Sequence, residues 1–292
     1  MTTTRFMLRD LRFRAKLALT VARLRSQRAA GRDPVVTYAT YRTSSSAIHW
    51  AIRRAVGGRA IKAHALLPER LTMSSAVGGV PIGPFGVPAN RHVGDWAVMQ
   101  EVVQPRRPAH FVVVLRDPVA VAVSSFSVGY EWLRPEFMRR DWSAPGACDA
   151  ATLDELTRAF YDGRFNWRLM PAWMEGDFAP ALGLDPYAVE FPRERGHVTV
   201  EHGPWRILLL RTDVPDATKG TALSEFLGIP GIEIRRENST DERGRGGLAA
   251  AMREAVRARP QELAELLDSR FTRHFWLPQE IQAMRTRWLG TA

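Results

Sequence analysis

Three short segments carry residues whose types and spacing could do chemistry on an anion. The first, Tyr41-Arg42-Thr43-Ser44-Ser45-Ser46, sets a guanidinium and several hydroxyls just ahead of a stretch with helical spacing. A helix N-terminus offers unpaired N–H groups and partial positive charge, so this segment suits an anionic ligand, although a single capping serine would use the same residues. The second, Ile61-Lys62-Ala63-His64, places a lysine and a histidine two residues apart. On a strand such residues point to the same side, where an imidazole could take a proton beside an ammonium that stabilises a leaving anion. A structural histidine is the plainer alternative. The third runs Leu115-Arg116-Asp117-Pro118, with Ser124 and Ser125 following. Arg116 closes an apolar run, a place where a guanidinium suits bidentate phosphate binding. Ser124 lies seven residues beyond Asp117, about two helical turns and so on the same face. An Arg116–Asp117 cap with a surface serine is the competing reading.

Each segment follows a strand signal. Val35–Tyr38 is short and β-prone, Ala60–Leu66 is a second strand, and His110–Leu115 is an unbroken apolar run typical of a strand buried on both faces of a parallel sheet. Ser45–Val56 reads as a helix up to Gly57-Gly58, Gly94–Gln104 as another, and Asp117-Pro118 as the N-cap and first position of a helix over 118–128. Further on, Thr152–Met174 reads as one helix, Trp205–Leu210 as a buried strand and Leu223–Leu227 as the start of a helix. Helical stretches near 247–258, 261–270 and 279–288 close the chain. Strands alternating with helices predict a single α/β domain with a central, mostly parallel sheet flanked by helices. In such sheets ligands bind beyond the carboxyl ends of the strands, where all three segments fall.

Composition narrows the chemistry. The 292 residues are 45% hydrophobic and 25% charged, normal for a globular chain and too apolar for a disordered one. The single Cys148 excludes an intrachain disulfide framework and a multi-cysteine metal site, and a reducing, cytoplasmic setting is expected. There is no zinc-type helix motif and no EF-hand loop, so no metal is expected. The phosphate loop G-x-x-x-x-G-K-[ST] is also absent, which argues against a nucleotide kinase. Leu71–Asn90 carries no charge, yet its glycines and prolines forbid a continuous membrane-spanning helix; just after His64, it reads as a lid or as a passive loop. Trp132, Trp142, Trp167 and Trp173 could line a site for a sugar or aromatic group, or belong to the core.

The net charge of +10 sits largely at one end. Residues 1–33 hold nine basic residues against Asp10 and Asp33, a net +7. Phe6, Leu8, Leu11, Leu17, Val21 and Leu24 recur among them at loosely helical spacing. The uncharged stretch Leu17–Ala22 is shorter than the apolar core of a secretory signal. Residues 1–33 are therefore expected to form a basic helical segment, either lying on an anionic membrane surface or packing one side on the domain. No nucleic acid partner is expected, and the oligomeric state is open.

In this order and spacing, the three segments resemble the sulfotransferases that use 3′-phosphoadenosine 5′-phosphosulfate. Arg42-Thr43-Ser44-Ser45-Ser46 is similar to that family's 5′-phosphosulfate loop, [KR]-S-G-T-T, with Ser44 where the family usually has glycine. Lys62-Ala63-His64 resembles its K-T-H segment, and FVVVLRDPVAVAVSSF its 3′-phosphate signature of an arginine and a serine eight positions later. LMPAWMEGDFAPALGLDPYAVEFPRERG, ILLLRTDV, LSEFLGI and FTRHFWLPQEIQAMRTRW look like a bacterial capsular-polysaccharide branch of the family. The resemblance covers residues 34–290, thinly between 68 and 108. It implies a nucleotide-binding strand–loop–helix of P-loop-like kind in 34–292, with Arg42, Thr43, Ser44, Ser45 and Ser46 around the 5′-phosphosulfate. It further implies Arg116 and Ser124 on the 3′-phosphate, His64 as general base, and Lys62 with Arg42 stabilising the leaving phosphate. Arg243 and Arg245, in Arg243-Gly244-Arg245-Gly246-Gly247, are the counterpart of the family's late G-x-x-G-x-W loop, although no tryptophan follows. The implied activity is metal-free transfer of a sulfuryl group to a hydroxyl or amine of a carbohydrate, glycolipid or secondary-metabolite acceptor. The alternative is a non-catalytic basic module that keeps the fold and binds a membrane surface or nucleic acid through residues 1–33.

Overall fold

A computed structural model describes residues 3–71, 92–133, 140–142, 144, 147–162, 165–235 and 246–290, with side chains described at all of these except 3–10, 70, 128–133 and 246. At its centre lie five strands, β1 (Val35–Tyr38), β2 (Ala60–Ala63), β3 (Ala109–Leu115), β4 (His197–His202) and β5 (Trp205–Arg211), in the spatial order β2-β1-β3-β5-β4. β1 pairs in parallel with β2 and β3, β3 pairs in parallel with β5, and β4 closes the edge antiparallel to β5. The chain goes outward from β1 to β2 and returns on the other side of β1 as β3. The switch point of the sheet therefore lies between the carboxyl ends of β1 and β3.

Alternation along the strands sorts the core into two layers. Val36, Tyr38, Phe111, Val113, Ile207 and Leu209 face the larger one, and Val35, Val112, Val114, Leu208 and Leu210 the smaller. In chain order the helices are α1 (Thr3–Ala29), α2 (Ser45–Val56), α3 (Pro68–Leu71), α4 (Val93–Val98), α5 (Pro118–Leu133), α6 (Ala150–Tyr161), α7 (Leu169–Trp173), α8 (Ala179–Leu182), α9 (Asp216–Leu227), α10 (Gly246–Arg257), α11 (Pro260–Leu267), α12 (Arg270–Phe275) and α13 (Pro278–Leu289). α2 and α9 cover the smaller core, while α1, α4, α5, α6 and α10 contribute to the larger. The molecule is thus an α/β protein with a mostly parallel central sheet flanked by helices.

The structure corrects four sequence expectations. β2 stops at Ala63 instead of running to Leu66, because the His64 N–H leaves the ladder and donates to the Asp95 carboxylate at 2.7 Å. The single helix expected over Thr152–Met174 is two: α6 ends at Tyr161, and Pro171, which cannot sit in a helix interior, falls in the first turn of a new helix beginning at Leu169. α9 begins at Asp216, not Leu223, and passes through Gly220, where a Cβ would run into the carbonyl oxygen of Ile232. The edge strand β4 was not anticipated; only Val198 and Val200 alternate on its inner side, and a turn at Gly203 joins it to β5.

Candidate functional site

The turn from β1 into α2 lies at the switch point and is held in an unusual conformation. Arg42 and Ser44 both adopt left-handed backbone, with φ of 65° and 60°. Thr43 is buried between them, and its hydroxyl donates to the Thr40 carbonyl at 3.1 Å, closing the turn. Ser44 occupies the N-cap of α2 but makes no side-chain cap bond. Ser45 is buried and Ser46 half-buried in the first turn of the helix.

Around this turn the structure brings together residues far apart in sequence. Arg116, at the end of β3, donates from a terminal guanidinium nitrogen to the Arg42 carbonyl at 2.6 Å. Arg42 in turn donates from Nε to the Ser124 hydroxyl on α5 at 2.9 Å. On the other side of the turn, Lys62 Nζ donates to the Ser46 hydroxyl at 3.0 Å. Burial pulls the Arg116 guanidinium down from its ordinary value, and the Arg42 charge adds to that against the pull of Asp117. Burial also lowers the Lys62 ammonium. Neither cation forms an ion pair among the described residues; Asp117, next to Arg116, caps α5 through the Val119 and Ala120 N–H groups and accepts from Trp288. Two largely buried cations with no ion pair among the described residues, next to a helix N-terminus, form a place where an anion can be stabilised.

His64 lies just past β2. Its Nδ1 is 2.6 Å from the Ala39 carbonyl oxygen, which can only accept, so the proton sits on Nδ1 and the lone pair on Nε2. The ring stacks on Tyr41 at 4.3 Å and meets the His92 ring edge-on at 4.7 Å. Burial, helped by His92 and Lys62, pulls the imidazole down to about 4 despite the nearby Asp95 carboxylate, so it is neutral at pH 7. Its backbone is gripped on both sides, since the Trp173 indole donates to the His64 carbonyl at 2.7 Å and Asp95 accepts from its N–H.

Sequence reasoning missed the residues that frame His64. Asp95, fully buried, accepts from the His64 N–H and bonds His92 Nδ1 at 2.9 Å. It can do so because Gly94 lets the first turn of α4 press onto β2; a Cβ there would run into the Lys62 carbonyl oxygen. His49 on α2 bonds the Thr37 hydroxyl at 3.1 Å, and burial together with the Lys62, Arg53 and His92 charges lowers it to about 4. Asp177 accepts from Tyr38 and from the Leu66 N–H, fixing the chain after His64. No periodicity marks these residues, although polar residues flanking a short apolar helix were a visible signal.

Of the other expected site residues that are described, only Trp173 touches this cluster, through its bond to the His64 carbonyl. Arg243 and Arg245 lie outside the described residues, as do the stretch 71–90 apart from Leu71 and the side chain of Trp132. Trp142, Trp167 and Trp173 all pack against the larger core. An open cavity of about 770 Å³, lined by Glu190, Arg193, Glu194 and Arg195 among others, involves none of the site residues. Among the described residues no group of three or more His, Cys, Asp or Glu side chains could hold a metal ion, and no helix is long and apolar enough to cross a membrane. No protein-family model, no curated protein and no solved structure matches the chain.

Proposed function

We propose that the protein is a sulfotransferase that moves the sulfuryl group of 3′-phosphoadenosine 5′-phosphosulfate to a hydroxyl or amine of a carbohydrate, glycolipid or secondary-metabolite acceptor. The observation that carries this reading is the meeting of Arg42 with Arg116 and Ser124 of the third segment at the switch point, with Lys62 of the second segment and Ser46 on the other side of the same turn. A ligand with two separate anionic groups fits two such clusters of donors better than a ligand with one. The donor would bring a phosphosulfate anhydride, whose bridging S–O bond breaks as sulfur bonds to the acceptor's oxygen or nitrogen.

The chain's own residues supply the rest. Arg116 and Ser124 would hold the 3′-phosphate. Lys62 and Arg42, with the hydroxyls at the start of α2, would hold the 5′-phosphate and stabilise the negative charge that grows on it as the bridging bond breaks, a preorganised electrostatic contribution. His64, kept neutral with its Nδ1 proton on the Ala39 carbonyl, would take the acceptor's proton at Nε2. The Asp95 carboxylate beside it favours the imidazolium so formed.

Calorimetry with 3′-phosphoadenosine 5′-phosphate, without metal and with AMP as control, tests the reading. The parent should bind the bisphosphate and discriminate against AMP, and Arg116→Ala should weaken binding on the order of tenfold to a hundredfold. Equal binding of AMP, or no binding of either nucleotide, refutes it.

A further inference from the structure

The candidate site leaves unused a surface formed by the outer side of α1 and the exposed side of α2. Phe13, Leu17, Val21 and Leu24 recur at helical spacing on one side of α1 and pack on the domain. On that side too, Arg25, Arg28 and Arg107 close on the buried Glu101 carboxylate, clamping the helix in place. At about 100° per residue, the opposite side carries Leu11, Ala15, Ala18, Leu19 and Ala22, all exposed. A merely solvated helix face would be polar here. Leu11 and Leu19 are 62% and 71% exposed, and the remaining exposed large hydrophobic among the described residues is Trp50 of α2, at 39%. Arg53 stacks over the Trp50 ring at 4.9 Å, and the chain just past α2 adjoins α1, since a Cβ on Gly58 would meet the Gln27 and Arg23 side chains.

The charges around this stripe all have one sign. Arg12, Lys16 and Arg23 run along one flank and Arg14 along the other, and none of the four forms an ion pair among the described residues. No acidic residue occurs between Asp10 and Asp33. Exposed leucines within a cationic rim match an anionic bilayer: the apolar side chains enter the acyl boundary and the cations meet headgroup phosphates. A polynucleotide would leave the leucines in water, and a second copy would set like charges against each other. We propose that the outer face of α1, with Trp50 and Arg53 of α2, docks the protein on an anionic lipid surface. This surface is separate from the donor site and does not depend on sulfuryl transfer.

Sedimentation of the full chain with vesicles tests this, comparing phosphatidylcholine alone with phosphatidylcholine containing phosphatidylglycerol. The parent should bind the anionic vesicles, bind phosphatidylcholine weakly, and be released by salt. Leu11→Glu with Leu19→Glu should lose binding by about tenfold or more, and Arg12→Gln and Lys16→Gln by on the order of fivefold each. These side chains point to solvent, so circular dichroism and nucleotide calorimetry should be unchanged and report any loss of fold separately. No binding to anionic vesicles, equal binding to neutral ones, or leucine variants that bind like the parent would overturn the proposal. So would a parent dimer in ultracentrifugation that the leucine variants abolish, or polynucleotide binding that survives in the leucine variants.

Discussion

Replacing Ser44 by glycine separates the backbone demand of the β1–α2 turn from its side-chain chemistry. Ser44 sits at φ 60° and ψ 17°, and its hydroxyl makes no cap bond that would compensate for the left-handed conformation. A non-glycine residue in that region costs roughly 1–2 kcal/mol, whereas glycine escapes this cost but loses roughly 0.5–1 kcal/mol more conformational freedom on folding. Ser44→Gly should therefore stabilise the protein by about 0.5–1 kcal/mol. Spread over the unfolding entropy of 292 residues, that is about 1–2 °C in Tm. Urea unfolding at neutral pH gives the better resolution, with the expected order glycine above serine, alanine at or below serine, and the β-branched Ser44→Val lowest. Because Arg116 grips the Arg42 carbonyl within this turn at 2.6 Å, nucleotide affinity should follow the same order. Equal stability of the glycine and alanine variants, or a destabilised glycine variant, would refute a left-handed turn at Ser44.

Two further outcomes follow from burial and charge. Arg211→Ala should destabilise the fold by about 3–5 kcal/mol in urea, because it leaves the Asp213 and Glu280 carboxylates facing each other without their shared guanidinium, while Arg116→Ala costs far less; the reverse ranking would refute Arg211 as the structural member of the two. His64 is lowered to about 4 in the fold from an ordinary value of 6.5, so the unfolded chain takes up its proton first as pH falls, and the contribution of the neutral ring is complete above about pH 6.5 and is lost between there and pH 4. The loss amounts to at most about 3 kcal/mol, so His64→Gln should show a shallower decline of stability over this range than the parent, and parallel curves would mean that His64 is not held neutral.

Arg116 and Arg211 show how far the sequence could be read. Arg116 directly follows the buried strand β3 with Asp117 next to it, and Arg211 ends the buried strand β5 with Asp213 two residues on, so in one dimension they look alike. The contrast comes from partners contributed elsewhere in the chain. Arg211, 2% exposed, is saturated by Asp213, by Glu280 of α13 and by two carbonyls, while Asp117 beside Arg116 is committed to the α5 cap and to Trp288. What was legible is local: the doubly buried β3, the Asp117 cap with its bonds to the Val119 and Ala120 N–H groups, and the strand–turn–helix around Arg42. What was not legible depends on close approach. Asp95 reaches the His64 N–H only because Gly94 lets α4 settle on the Lys62 carbonyl, and a lone glycine after a Gly/Pro-rich stretch gives no hint of that contact.

Local rules are broken together, and in one place. Of the three non-glycine residues with positive φ among the described residues, two belong to the β1–α2 turn. The same turn is gripped by Arg116 and flanked by Lys62, two cations that burial disfavours and that no described carboxylate pairs with. Strained backbone and unpaired buried charge each lower stability, and neither would persist in a passive connection when glycines and an acidic neighbour would relieve both. Two buried charges elsewhere are neutralised by ion pairs: Glu101 against Arg25, Arg28 and Arg107, and Arg211 against Asp213 and Glu280. Charge is paired at Glu101 and Arg211 in the scaffold and, among the described residues, unpaired at the switch point of the sheet, which is the arrangement the proposed donor site requires.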